Sequence, residues 1–197
     1  MDITIRVAQA SDVHYAEAIC DLIKESAKAR GTGIAERQPE YVRSKIVNGN
    51  AVLALQGETL AGFCYIEVWS HHRYVANSGL IVAPAFRRMG LARHIKGHIF
   101  RLSRHKFPEA HVFGITTSLA VMRINSSLGY KPVTFSELTQ DDAFWKGCSS
   151  CPNFDILQRN ERKLCLCTAM LAEVDPQNDI AVDLSDLIIS VPQTQNS

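Results

Sequence analysis

The sequence predicts an α/β fold with six to seven strands that alternate with helices along the chain. Three observations support this fold class. Short runs rich in β-branched and aromatic residues are followed repeatedly by apolar residues at helical spacing. The 197 residues are 46% hydrophobic and 21% charged, which suits one domain with a sizeable core. The stretch from Ser78 to Phe100 is predicted to be a strand, a tight turn and a helix N-terminus.

Composition excludes several classes of protein. The net charge of +1 gives no general attraction to nucleic acid or to an anionic membrane, so neither is expected as a partner. No apolar run approaches the roughly 20 residues of a membrane helix. The first residues lack a charged segment followed by an apolar one, so we expect no signal peptide and a cytoplasmic location. Six cysteines in that setting indicate reduced thiols or metal ligands.

The first quarter of the chain contains one strand and two helices. Apolar residues at every second position of residues 3–7 predict the first strand. A helix capped by Ser11 is expected to follow and to end before Gly31. A loop rich in helix breakers then leads to a second helix from about Pro39 to Val47, with proline in its first turn.

The remaining elements continue the alternation. The helix after the fourth strand has an apolar face, and its charged residues, Lys96 among them, are expected to face water. Gly129 is expected to close the next helix. The C-terminal run DLIISV is compatible with a short edge strand. Further strands are predicted for AVLALQ, GETLAGFCYIEVW, HHRYVANSGLIVAP, HVFGITTS, KPVTFSEL and KLCLCTAML.

The turn that follows the fourth strand has the features of an anion site. The apolar run Leu80 to Val82 precedes Arg87 and Arg88, and the next helix starts after Gly90. A helix N-terminus offers unpaired N–H groups and the positive end of a dipole. Gly90 lets the backbone approach a phosphate, and the small Ala92 keeps the start of the helix close to it. We therefore expect a phosphorylated ligand here.

The run from Arg87 to Ala92, RRMGLA, resembles the R/Q-x-x-G-x-G/A signature of the GCN5-related N-acetyltransferases, the GNAT family. The resemblance implies a single GNAT-type domain over residues 1–175, with a mixed, mostly antiparallel sheet flanked by helices on both faces. This domain includes a cysteine-containing loop and last strand at 144–173, and a tail follows at 176–197. The resemblance also implies acetyl-coenzyme A as cofactor, bound by Leu80, Ile81, Val82, Arg87, Arg88, Met89, Gly90, Leu91, Ala92, Arg93 and Asn125.

Three segments, IRVAQASD, GIAERQPEYVRSKI and GITTS, resemble the acetyltransferase domain of bacterial N-acetylglutamate synthases. This narrower resemblance implies a small-molecule amine as acceptor, an amino acid such as glutamate. It also implies that Arg37 grips a carboxylate, helped by Arg43 or Arg73, because a guanidinium matches a carboxylate. A solvated loop position for Arg37 is the alternative. A peptide N-acetyltransferase, a non-catalytic module that binds acetyl-coenzyme A, and a homodimer stay open.

Direct attack by an amine requires a base and a proton for the leaving thiolate. Glu67, late on the third strand, is a candidate base, unless it is only the outward residue of an alternating strand. His71 and His72 are alternatives, unless they form a surface loop. Asn125 stands where the family often has a proton-donating tyrosine, so Ser126 or water would have to supply the proton.

The second half of the chain contains a group of four cysteines, Cys148-x-x-Cys151 and Cys165-x-Cys167. Side chains alternate along a strand, so a C-x-C strand would place both sulfurs on one face. Four converging thiolates would suit a tetrahedral structural zinc. Packing as free thiols and a disulfide are the alternatives.

Overall fold

A computed structural model describes residues 2–30, 36–174 and 183–190 as one α/β domain. Its single sheet has eight strands in the order β6-β7-β5-β4-β3-β2-β1-β8. Only the β4–β5 pair is parallel, which confirms the expected mixed, mostly antiparallel sheet. The strands are β1 Asp2–Val7, β2 Ala51–Gln56, β3 Thr59–Trp69, β4 Tyr74–Val82, β5 His111–Thr116, β6 Lys131–Val133, β7 Thr168–Ala172 and β8 Leu187–Ser190.

Helices cover both faces of the sheet, as expected. The strand β3 shows how the two faces differ, because its side chains alternate. Phe63 packs in the cluster with residues of α1 and α2, whereas Cys64 and Ile66 pack in the cluster with Ile95 and Ile99 of α3. The helices are α1 Ala16–Arg30, α2 Pro39–Val47, α3 Leu91–Lys106, α4 Leu119–Ser127, α5 Asp142–Lys146 and α6 Phe154–Arg159.

The start of the first helix differs from the prediction. A 3₁₀ segment, Ala10–Tyr15, precedes α1, and its N-cap is Gln9, so the predicted cap at Ser11 is wrong. Asp12 accepts a hydrogen bond from the Gln9 N–H at 2.7 Å and pairs with Arg6 of β1 at 2.6 Å. This tertiary ion pair holds the segment against the first strand. The loop predicted after α1 lies partly at residues 31–35, outside the described residues.

The C-terminal strands are shorter than predicted. β6 ends at Val133 because a 3₁₀ turn, Phe135–Glu137, follows with a capping box between Thr134 and Glu137. β7 begins at Thr168, so the residues before it are not part of the strand. A separate core cluster at this part of the sheet contains four buried aromatic residues, Phe113, Phe135, Phe144 and Trp145.

Part of the predicted tail belongs to the sheet. β8 pairs antiparallel with β1, with Ile3 opposite Ile189, and forms one edge. The residues Leu187–Ser190 of the DLIISV run therefore form an edge strand, while residues 175–182 and 191–197 lie outside the described residues. Within the part of the chain that the structure describes, no helix has the length and apolar character needed to span a membrane.

A gap opens in the middle of the sheet. The parallel pairing joins Tyr74–Ala76 of β4 only to His111–Phe113 of β5, and beyond it the two strands separate. β4 carries one extra residue opposite β3 between the pairs Phe63–Ile81 and Tyr65–Ser78, which is a β-bulge. Gly79 in the bulge has φ +65°, a conformation that favours glycine. The bulge lies in the part of β4 that borders the gap.

Candidate functional site

A cavity of about 500 Å³ fills the gap between β4 and β5. Its walls come from the separated strands, from helices on both faces, and from the segment around α5. Residues 77–81 of β4 border it on one side and residues 113–116 of β5 on the other. A molecule in this cavity would therefore contact groups from both faces of the sheet.

The predicted phosphate turn follows directly from the free edge of β4. Arg87 fixes the turn, because its Nε donates to the Val82 carbonyl at 3.1 Å and its Nη2 to Ser26 Oγ at 3.0 Å. Gly90 is the N-cap of α3 with φ +77°, and no side chain caps the helix. Arg88 is exposed beside it and also has a positive φ of 66°. The Arg93 N–H bonds to the Gly90 carbonyl at 3.0 Å. The N–H groups before it have no side-chain acceptor and are thus available to an anion.

Glu67 lies inside the cavity, with only 7% of its surface exposed. One carboxylate oxygen accepts a hydrogen bond from the Tyr41 hydroxyl, and the other accepts one from Ser78 Oγ at 2.5 Å. Burial, and then the charge of Glu67, raises the pKa of Tyr41, so this phenol stays a donor. The two hydroxyls orient a carboxylate that can accept a further proton.

Arg37 lines the same cavity on the side of α2. Its Nε donates to the Tyr65 hydroxyl at 2.6 Å. Lys45 Nζ lies 4.7 Å from the centroid of the Tyr41 ring, and burial lowers the pKa of this lysine. Two cations and the carboxylate of Glu67 therefore surround one pair of aromatic rings. Of these charged groups, Arg37 and Glu67 line the cavity, together with Glu36, whereas Lys45 does not. Arg37 and Glu67 complement a small molecule that carries a carboxylate and an amine.

The other two predicted arginines lie elsewhere. Arg43 forms ion pairs with Glu17 and, at 3.2 Å, with Glu40, and it does not line the cavity. Arg73 is exposed in the turn between β3 and β4, beside His71 and His72, which are exposed as well. Of the predicted carboxylate-binding residues, the structure brings only Arg37 to the cavity.

Asn125 and Ser126 are adjacent on α4 but differ in environment. Asn125 is 1% exposed and lines the cavity. Its Nδ2 lies 3.7 Å from Met170 Sδ, and its buried Oδ1 has no hydrogen-bond partner among the described residues. Ser126 is exposed and does not line the cavity. A proton-donating role for Ser126 therefore has no support from its position.

Several residues of the cavity were not predicted from the sequence. Lys96 was expected to face water, but it is 2% exposed and reaches the cavity from α3. The expectation was wrong because α3 is covered by the turn after α4 as well as by the sheet, and Lys96 packs 5.1 Å from the Tyr130 ring. Tyr65 could have been found, since it lies two residues before Glu67 on one face of β3.

The four cysteines also line the cavity, and each is partly buried. Within residues 2–30, 36–174 and 183–190, no group of three or more potential ligands could hold a metal ion, so the structure does not support the zinc prediction. The expected C-x-C strand geometry was wrong, because Cys165 and Cys167 precede β7. Burial, and then neighbouring thiols, raises the pKa of Cys148 to about 11 and that of Cys167 to about 12. All are free thiols.

Comparison with known proteins gives a consistent result for the fold. The acetyltransferase (GNAT) family model matches residues 17–119. No curated protein matches the chain significantly in sequence. N-acetylglutamate synthase from Neisseria gonorrhoeae, solved with coenzyme A and N-acetylglutamate, is similar with a TM-score of 0.63 at 16% identity. The match covers 88% of this chain and 35% of the synthase, so the chain spans about a third of that protein.

Two further solved structures are similar over most of their length. Rv2747 from Mycobacterium tuberculosis, in complex with CoA, has a TM-score of 0.62 at 18% identity, over 87% of this chain and 99% of that one. Diaminobutyrate acetyltransferase from Paenibacillus lautus has a TM-score of 0.57 at 10% identity, over 87% and 95%. At these identities the similarity shows the fold.

Proposed function

The chain belongs to the GNAT acetyltransferase family, and from that premise we propose that it acetylates the amine of a small acidic amino acid such as glutamate. The observation that carries the proposal is the charge pattern of the cavity. Arg37 donates to Tyr65 on the α2 side of the cavity, and Glu67 accepts hydrogen bonds from Tyr41 and from Ser78 of β4. If the carboxylate of the acceptor lay near Arg37, the amine of the acceptor would be free to approach Glu67.

The cleft fits acetyl-coenzyme A, which supplies an activated acetyl thioester when bound. Among the described residues, β4 has no strand partner on the side of β5 beyond Ala76. Apart from the Asn77 and Val82 carbonyls, which bond to Lys96 and Arg87, its backbone groups there can pair with an amide-rich chain. The unpartnered Asn125 Oδ1 can accept a hydrogen bond from such a chain. Gly90 would leave open space even for a Cβ, and the helix start beside it has no side-chain cap. These features support the predicted cofactor-binding residues.

In this proposal, Glu67 removes the proton from the acceptor ammonium, directly or through one water molecule. Tyr41 and Ser78 hold the carboxylate in place and leave lone pairs on both oxygens. Arg37 holds the acceptor, so that attack on the thioester carbon occurs within one complex. The new C–N bond forms as the C–S bond breaks, and N–H groups of the free β4 edge stabilise the carbonyl oxygen.

A panel of acceptors tests this proposal. We would measure release of coenzyme A with glutamate, aspartate, glutamine, an apolar amino acid and a short peptide. We expect the acidic amino acids to give the highest kcat/KM. A higher kcat/KM for the apolar amino acid would overturn the assigned acceptor class.

The substitution Arg37→Met tests the carboxylate grip. We expect it to raise the KM for the acidic acceptor roughly 10- to 100-fold, since a hydrogen bond to a charged group is worth about 1.5–3 kcal/mol. The KM for acetyl-coenzyme A should not change. Arg43→Met is the matched control, because Arg43 pairs with Glu17 outside the cavity and its loss should leave both constants unchanged. Equal effects of the two substitutions would contradict the grip.

A second candidate acceptor is a peptide N-terminus, which the aromatic wall of the cavity favours. Trp69 and Phe113 both contact Phe144 edge-on, with centroids 5.6 and 5.1 Å away. Such a wall would hold an apolar side chain. If the peptide were the preferred substrate of the panel, this second candidate would replace the first.

A further inference from the structure

Lys96 is a buried charged residue that the proposed mechanism has not yet used. It extends from α3 to the point where β4 and β5 separate, and its Nζ lies 3.4 Å from the Asn77 carbonyl oxygen. An ammonium has three N–H donors, and this carbonyl is the one acceptor that they have among the described residues. The Tyr130 ring lies 5.1 Å away and adds a cation–π contact. Two donors are thus left for another group.

The space around the ammonium is open toward the cavity because Gly114 has no side chain. A Cβ at Gly114 would lie 3.9 Å from Lys96 Nζ, 3.8 Å from Asn125 Nδ2 and 3.7 Å from the Asn77 oxygen. Lys96 and Asn125 therefore border the same small volume, at the point where β4 and β5 separate. Asn125 occupies the position of the tyrosine that is often the proton donor in the family, but an amide cannot supply a proton.

The surroundings of Lys96 favour proton donation near neutral pH. Burial lowers the pKa of Lys96 to about 8. The titratable groups that face it are the Cys64 thiol from β3 and the Tyr130 phenol after α4. Burial raises the pKa of Cys64 to about 11 and that of Tyr130 well above its usual range, so both stay neutral. No carboxylate is among these neighbours to neutralise the ammonium.

We propose that Lys96 donates the proton that the leaving thiolate of coenzyme A takes up. The inference rests on the proposed acetyl transfer but not on the identity of the acceptor. As the C–S bond breaks, its electron pair goes to sulfur. One N–H bond of the Lys96 ammonium then breaks and an S–H bond forms. Lys96 regains a proton from water after the products leave, and the proton taken by Glu67 returns to water in the same interval.

A titration of bound coenzyme A tests the contact without any acceptor. The ultraviolet absorbance of the thiolate would be followed against pH in the complex, with the complex of desulfo-coenzyme A subtracted to remove the protein's own thiols. An ammonium beside the sulfur should lower the pKa of the bound thiol relative to free coenzyme A. Proton donation by Lys96 requires that this pKa stay at or above that of Lys96 itself. Lys96→Met should abolish this shift. Lys106→Met, at the other end of α3 and outside the cavity, should retain it.

Kinetics separate proton donation from charge alone. Lys96→Met should lower kcat by roughly 10²-fold or more, the usual contribution of a general acid. Lys96→Arg keeps the charge but cannot release a proton near neutral pH, so it should keep the thiol shift and still lower kcat. In the wild type, kcat/KM for acetyl-coenzyme A should fall above a pH of about 8 as Lys96 loses its proton.

An unshifted thiol in the wild-type complex would overturn the proposal, and this result needs no variant that might misfold. A kcat for Lys96→Arg equal to that of the wild type would also overturn it. Failure of the acceptor panel would leave the titration unaffected, because the titration requires only coenzyme A. A failed titration would likewise leave the acceptor assignment intact, so the two proposals can be refuted separately.

Discussion

Replacing Gly79 by alanine tests whether the bulge in β4 requires a residue without a side chain beside the Tyr65 ring. A Cβ at Gly79 would lie 2.3 Å from Tyr65 Cε1 and 2.8 Å from Cδ1, much closer than atoms can pack. The Tyr65 ring is 1% exposed, and its hydroxyl is bonded to Arg37. The ring must therefore move within a packed core, or β4 must shift away from β3.

The structure gives two contributions to the loss of stability. An alanine with φ near +65° costs about 1–2 kcal/mol, and overpacking at Tyr65 costs about 1–3 kcal/mol more. Gly79→Ala should thus lower the free energy of unfolding by about 2–5 kcal/mol, measured by urea denaturation. Gly57→Ala is the matched control, because Gly57 has φ +57° but no atom within 4 Å of its Cβ position. Gly57→Ala should therefore show only the cost of the positive φ.

A double-mutant cycle identifies the source of the difference. In a Tyr65→Leu background, which removes the ring atoms that clash, Gly79→Ala should cost no more than Gly57→Ala does. The reasoning would be refuted if Gly79→Ala were no more destabilising than Gly57→Ala, or if its cost were unchanged in the Tyr65→Leu background. Gly79→Ala should also raise the KM for the acceptor, since a displaced ring would no longer hold Arg37.

Two other predictions concern carboxylates. Glu67→Gln keeps the shape of the side chain and the Tyr41 contact but removes the base. The kcat should therefore fall roughly 10²-fold or more, with the KM for acetyl-coenzyme A unchanged. An unaltered kcat would exclude Glu67 as the base. The hydrogen bond from Arg6 holds the pKa of Asp12 below its usual range. The ion pair therefore stabilises the fold above a pH of about 4, and this stabilisation is lost as the pH falls further. Asp12→Ala should therefore cost roughly 3 kcal/mol at neutral pH, and its difference from the wild type in urea denaturation should shrink in acid; a constant difference would contradict the assignment.

Local signals in the sequence predicted the elements that depend on local chemistry. The helix α2 has the predicted bounds, Pro39–Val47, because proline suits the first turn and the apolar spacing continues behind it. The strand, turn and helix start predicted over residues 78–100 are confirmed for a similar reason, since their signals lie close together in the chain. The order of strands and helices from β1 to β6 followed from hydrophobic periodicity, whereas α5 and α6 lie where a loop was predicted. The roles predicted for individual site residues stay predictions.

Contacts between distant segments could not be predicted in this way. Arg37 and Tyr65 are 28 positions apart, and no local pattern links a loop arginine to a strand tyrosine. Lys96 looked like a solvated residue because helical spacing alone does not show that the chain after α4 covers it. The C-x-C interpretation failed since it assumed that the strand included Cys165, whereas backbone pairing with β5 starts only at Thr168.

The separation of β4 from β5 has a consequence for the stability of the whole domain. Three residue pairs form the ladder between these strands, as few as in the edge pair β6–β7. The shortest interior ladder of the described sheet therefore lies between its β1–β4 part and its β5–β7 part. A molecule that lies along the free edge of β4 and touches β5 acts as a substitute strand between the two parts. Binding of this molecule then also stabilises the sheet against unfolding, and this stabilisation rises with ligand concentration. In this protein the proposed cofactor site coincides with the shortest interior ladder of the sheet.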